Sequence, residues 1–156
     1  MSPKAYLETS VVSYLTARPS RDLVRAAHQQ VTREWWASRG DFSLFISQFV
    51  LDEAAAGDVD AAAQRLEALR DATILDITEE AIRLASDLVV GGGLPTKARV
   101  DALHVAIAAV HGMDFLLTWN CKHIANAATR TRIEDLCRAD GFEPPIICTP
   151  LELAKE

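Results

Sequence analysis

Short apolar runs alternate along this chain with longer stretches in which apolar residues recur every third or fourth position. Lys4 to Leu7 is the first such run, enough for one buried strand, and it stops at a carboxylate, Glu8. Val11 to Thr16 reads as a short helix, broken by Pro19. Ser20 is placed to cap a helix reaching about Ser38, with Leu23, Ala27, Val31 and Trp35 on one face and Gly40 as its stop. Ser43 to Ile46 gives a second strand. Ser47 caps a helix that carries Phe49, Val50 and Glu53 and ends near Gly57, and Asp58 starts another with Ala62, Leu66 and Leu69 at helical spacing.

Thr73 to Leu75 is a third strand, after which Thr78 opens a helix to about Val90 with Glu80 in its first turn. The run Gly91-Gly92-Gly93-Leu94-Pro95 predicts a flexible hinge or linker, and it lacks the G-K-[ST] ending of a phosphate-cradling loop. The next helix, about Thr96 to His111, is apolar nearly all round through Val100, Leu103, Val105, Ala106, Ile107 and Val110, as a helix at the centre of a fold is. Phe115 to Leu117 is a fourth strand, a polar helix covers about Thr129 to Ala139, and Ile146 to Cys148 is the last strand. Strands alternating with helices predict an α/β fold with a parallel sheet of about five strands between helical layers. With no internal repeat and no composition break, residues 1–156 read as a single domain.

Composition adds exclusions. Apolar residues make up 49% and charged residues 24%, the balance of a soluble globular protein. No apolar run approaches the ~18 residues that span a bilayer, and M-S-P-K-A-Y-L-E lacks the apolar stretch of a secretory signal, so a cytoplasmic protein without membrane contact is expected. Cys121, Cys137 and Cys148 form no C-x-x-C pair, which argues against zinc, redox and disulfide roles and leaves small packing residues. The net charge of −6 argues against a coat of positive charge for non-specific nucleic-acid binding. Arg18, Arg21 and Arg25, then Lys122, Arg130, Arg132 and Arg138, are solvated helix faces or local basic surface.

The acids carry the candidate chemistry. In parallel α/β sheets ligands bind beyond the carboxyl ends of the strands. Glu8 lies at that end of the first strand, Glu53 on the helix after the second, Asp101 early in the apolar helix, and Asn120 just past the fourth strand. Converging carboxylates ~4 Å apart repel by about 4 kcal/mol at an effective dielectric of 20, so such a pocket needs a proton or a cation. Oxygen ligands suit Mg²⁺ or Mn²⁺ over Zn²⁺, and a hard divalent ion supports phosphoryl chemistry. Plain alternatives stand beside this: a dipole-favoured acid at a helix start for Glu8 and an exposed helix residue for Glu53.

Four stretches, in this order, resemble the PIN-domain family, in particular VapC-like toxins of toxin–antitoxin pairs. They are Y-L-E-T-S-V-V at 6–12, I-S-Q-F-V-L-D-E at 46–53, D-A-L-H-V-A-I-A-A at 101–109, and L-L-T-W-N at 116–120. The resemblance covers nearly the whole chain and implies a three-layer α/β/α sandwich and Mg²⁺- or Mn²⁺-dependent cleavage of RNA phosphodiesters. It also implies neutralisation by a cognate antitoxin and a homodimer. Carried over by position, Glu8, Glu53 and Asp101 become metal-binding acids and Asn120 a fourth site residue, with Thr9, Ser10 and Thr118 in support. Position 8 is Glu where the family pattern has Asp, so its carboxylate reaches one methylene further. Position 120 is Asn where the pattern usually has Asp, which removes one negative charge and weakens a second ion most. Lys122, His123 and Asn126 face either the pocket and a substrate phosphate or solvent. His104, on roughly the face of Asp101, is either a locally bonded core histidine or a general acid/base. Trp119 is either a core residue or a platform for a base. The competing function is a degenerate domain that binds RNA or a partner without cutting. An aspartyl-nucleophile phosphohydrolase would need D-x-D after the first strand, where this chain has E-T-S.

Overall fold

A computed structural model describes residues 2–154. Among these residues five short strands form one sheet: β1 (Lys4–Leu7), β2 (Ser43–Ser47), β3 (Thr73–Leu75), β4 (Phe115–Leu117) and β5 (Ile146–Cys148). Their spatial order is β3-β2-β1-β4-β5, and all four pairings are parallel. Seven α-helices of the described residues flank it: α1 (Thr9–Thr16), α2 (Leu23–Ala37), α3 (Gln48–Ala54), α4 (Val59–Ala68), α5 (Glu79–Val90), α6 (Arg99–Val110) and α7 (Ala127–Ala139). This is the expected three-layer α/β/α sandwich. Among the described residues no helix is long and apolar enough to cross a membrane.

β1 is the middle strand. Ala5, Tyr6 and Leu7 are at most 1% exposed, because helices cover both of its faces. The chain steps outward from β1 to β2 and β3, then returns to place β4 on the other side of β1. That reversal puts the topological switch point, where ligands bind in open parallel sheets, at the carboxyl ends of β1 and β4. Leu7 pairs with Leu117, so the residues that follow, Glu8 and Thr118, leave the sheet side by side. The Glu8 N–H donates to Leu117 O at 3.0 Å and secures that level.

Helix α6 is buried nearly all round, from Ala102 through Ala109 except Leu103, which is half-buried. Its small residues Ala102, Ala106, Ala108 and Ala109 let it approach its neighbours closely. Asp58 and Thr78 cap α4 and α5 as expected, accepting from Ala61 N–H at 3.0 Å and Ala81 N–H at 3.2 Å.

Several expectations shift. Helix α1 begins at Thr9 rather than Val11, because Glu8 itself is the N-cap and accepts from Ser10 N–H. The cap of α2 is Asp22, which accepts from Arg25 N–H at 2.9 Å, while the Ser20 hydroxyl accepts from Asp22 N–H. Asn126 caps α7, so that helix starts at Ala127. A 3-10 turn at Thr96–Ala98 precedes α6. The glycine run differs in kind from a hinge. It closes α5 with hydrogen bonds from Gly91, Gly92 and Gly93 back to Asp87, Val89 and Leu88, and Gly92 has φ +83°. A Cβ at Gly91 would lie 2.6 Å from Leu136 Cδ2 and 2.9 Å from Asp87 O. Gly91 and Gly93 are there because α5 and α7 meet without room for side chains, and Gly92 because its backbone takes a positive φ. Cys137 and Cys148 are buried as expected, and Cys121 is exposed.

Candidate metal-binding active site

Glu8 is 7% exposed, which is unusual for a carboxylate, and its partners explain how it is tolerated. Oε1 accepts from Ser10 Oγ and from Thr118 Oγ1, both at 2.5 Å, and Oε2 accepts from Ser10 N–H at 3.2 Å. The two hydroxyls are themselves oriented. Ser10 Oγ accepts from Trp119 N–H at 2.8 Å, and Thr118 Oγ1 accepts from Asn120 N–H at 2.9 Å. The turn after β4 thus aims two O–H donors at the acid that ends β1.

Glu53 comes in from α3. Its Oε1 accepts from Thr9 Oγ1 at 2.7 Å and pairs with His104 Nε2 at 2.8 Å. No hydrogen bond from the described residues reaches Oε2. The side chain is 39% exposed, against 1% for His104. Burial pushes the Glu53 carboxyl up, but the hydrogen bonds from His104 and Thr9 outweigh it, holding it below its ordinary value of 4.5.

Glu8, Glu53 and His104 each offer a ligand atom, and these atoms lie within 4.8 Å of one another. At that separation two carboxylates repel by about 3 kcal/mol at an effective dielectric of 20. The arrangement stores a demand for positive charge between them. Its donor set fits a divalent cation: two carboxylates with a free oxygen on Glu53 and an open side towards solvent.

Asp101, on the first turn of α6, does not join these three within that distance. Its Oδ2 pairs with His123 Nδ1 at 3.1 Å. Asn120 Oδ1 accepts from His123 N–H at 3.0 Å and closes the turn after β4. The two remaining site candidates are therefore linked through His123, which is half-buried. Lys122 is exposed, and its carbonyl accepts from Asn126 Nδ2. Trp119 differs from a base platform: it is 8% exposed, stacks on His28 (4.2 Å between centroids) and Tyr14 (5.7 Å), and donates from Nε1 to Thr32 Oγ1. Its ring is already packed on both neighbours.

Tyr6 is the residue that sequence reasoning missed. Its hydroxyl lies 2.8 Å from Ser47 Oγ and 2.7 Å from His104 Nδ1, fully buried behind Glu53. The one available signal was a phenol in a buried strand, which always needs a polar partner.

Known proteins bear on this geometry. The model of the PIN domain family matches residues 5–127, a span that holds Glu8, Glu53, Asp101, Asn120 and His104. No curated protein sequence matches the chain. A solved structure with a similar fold is that of VapBC2 from Rickettsia felis bound to a DNA fragment from their promoter. It superposes with a TM-score of 0.60 at 16% identity, covering 93% of this chain and 97% of that one. At that identity the likeness speaks to the fold alone. The matched span carries β1 from Ala5 through β4 together with the acids at the switch point of the sheet, and the chain accordingly belongs to the PIN-domain family.

Proposed function

We propose that this protein is an Mg²⁺- or Mn²⁺-dependent endoribonuclease and the toxin of a toxin–antitoxin pair. The observation that carries the reading is the pair Glu8 and Glu53, held within 4.8 Å of each other at the switch point of the sheet with an unbonded oxygen on Glu53. Glu8 and Glu53 would hold the cation, and Asp101 would reach it from α6 when His123 releases it. A divalent ion bound there supplies Lewis-acid activation of a phosphodiester and of the attacking water. The chain's own residues do the rest. Ser10 and Thr118 fix the Glu8 carboxylate, Thr9 and His104 fix that of Glu53, and Lys122 on the exposed turn offers a charge to a substrate phosphate. Freed of its hold on Asp101, His123 can donate to the same phosphate.

An antitoxin partner is supported by family membership and by the fold shared with the R. felis VapBC2 complex. A homodimer, a single-domain chain and a cytoplasmic setting belong to the same proposal. A second reading, a domain that binds RNA or a partner without cutting, is favoured by Asn120, whose amide brings no charge and whose oxygen is taken by His123 N–H. Incubating purified protein with RNA in Mn²⁺ and in EDTA separates the two. Cleavage that needs Mn²⁺ and is lost in Asp101→Asn supports the nuclease. An Asp101→Asn variant that cuts as fast as the parent refutes the assigned site.

A further inference from the structure

Behind Glu53 runs a row of buried polar groups that the cleavage reaction itself does not require. Ser47 Oγ lies 2.8 Å from Tyr6 Oη, Tyr6 Oη 2.7 Å from His104 Nδ1, and His104 Nε2 2.8 Å from Glu53 Oε1. Ser47, Tyr6 and His104 are at most 1% exposed, so water cannot stand in for any link. The three come from the end of β2, the middle of β1 and the second turn of α6, and they meet only in the folded protein.

With Glu53 ionised and the His104 imidazole neutral, donor and acceptor rules give this row one direction. An ionised carboxylate only accepts, so His104 Nε2 must carry a proton towards Glu53. A neutral imidazole then has a bare Nδ1, which accepts from the Tyr6 O–H. Tyr6 oxygen is left to accept from the Ser47 hydroxyl. That hydroxyl is available because Ser47, although at the N-cap position of α3, makes no side-chain cap bond. Each group spends its one proton in the same direction. With Thr9 Oγ1 donating to the same oxygen, Oε1 is saturated and Oε2 is the oxygen left for a cation. A nitrogen that carries a proton has no lone pair to give a metal.

We propose that His104, backed by Tyr6 and Ser47, is a positioning residue that presents Glu53 Oε2 to the cation and is not itself a ligand. The role rests on the metal-dependent reading given above. It makes this a site of carboxylate oxygens alone, although an imidazole nitrogen lies within ligand range. Ligation by His104 would require the opposite tautomer, with Nδ1–H donating to Tyr6 and the Tyr6 proton turned to Ser47.

Two measurements on the unmodified protein distinguish these arrangements. Long-range ¹H–¹⁵N correlation spectra of metal-free protein should show His104 as the Nε2–H tautomer, and pulsed EPR of the Mn²⁺-loaded protein should show no ¹⁴N coupling. Mn²⁺ binding should weaken by about 10- to 100-fold in His104→Leu. It should recover most of that loss in His104→Gln, whose amide N–H can still donate to Glu53, and weaken less in Tyr6→Phe. Circular dichroism checks that each variant folds, and the two spectra need no variant. An Nδ1–H tautomer, a ¹⁴N coupling that vanishes in His104→Gln, or undiminished binding in a folded His104→Leu overturns the positioning role while leaving a metal site. A parent protein that binds no Mn²⁺ overturns the metal reading and this role with it.

Discussion

Replacing Thr118 by Val exchanges a hydroxyl for a methyl of nearly the same shape at a fully buried position. The change leaves no cavity, so its cost is almost purely one of hydrogen bonds. It removes the 2.5 Å donor to Glu8 Oε1 and the acceptor for Asn120 N–H. A hydrogen bond to a charged group contributes roughly 1.5–3 kcal/mol, and an orphaned buried donor costs about 1–3 kcal/mol more. Asn120 is only half-buried, so water can relieve part of the second cost. The sum is about 2–4 kcal/mol. With a urea m-value of about 2 kcal/mol/M for a chain of this size, the unfolding midpoint should fall by about 1–2 M. Thr118→Ser keeps the hydroxyl and loses one buried methyl, roughly 0.8 kcal/mol, for a fall of about 0.4 M. Both are read by urea denaturation of metal-free protein. Equal shifts for Val and Ser would mean that the hydroxyl does not hold Glu8, and the proposed anchoring of that carboxylate would be wrong.

Two further outcomes follow from the packing and the site. Gly91→Ala should destabilise by about 1–3 kcal/mol, since its Cβ meets Leu136 and the Asp87 carbonyl, while Gly40→Ala, with nothing within 4 Å, should be close to neutral in the same thermal melt. Glu53 is held below 4.5 in the folded protein, so its contacts stabilise above that pH and their contribution is lost as pH falls through the lower folded value. Melting temperatures in EDTA should therefore drop more steeply below about pH 4.5 for the parent than for Glu53→Gln, and parallel curves would refute the pairing with His104 and Thr9.

The strands were legible because each is a short apolar run between polar breaks, and their observed bounds match the expected ones to within one residue. Caps were legible at Asp58 and Thr78, whereas the cap expected at Ser20 is provided by Asp22, two residues on, because both side chains suit a helix start within one turn. The glycine run was misread because a flexible linker and a tight helix end share one composition. Only the proximity of Leu136, supplied by α7 from 45 residues away in sequence, distinguishes them. At the site, the ends of β1 and β4 placed Glu8 and Thr118 correctly, since a parallel sheet collects its strand ends on one edge. The pairing of His104 with Glu53 spans 51 residues and that of Asp101 with His123 spans 22, and no local pattern encodes either. The same holds for Tyr6, whose hydroxyl finds His104 98 residues away.

The proposed activity depends on a cation held between Glu8 and Glu53. Isothermal titration of Mn²⁺ into metal-free protein tests it most directly, with Glu8→Gln and Glu53→Gln beside the parent. Saturable binding near one ion per chain, lost in both variants, is the predicted result. A parent that gives no heat of binding, or variants that bind as the parent does, would contradict it.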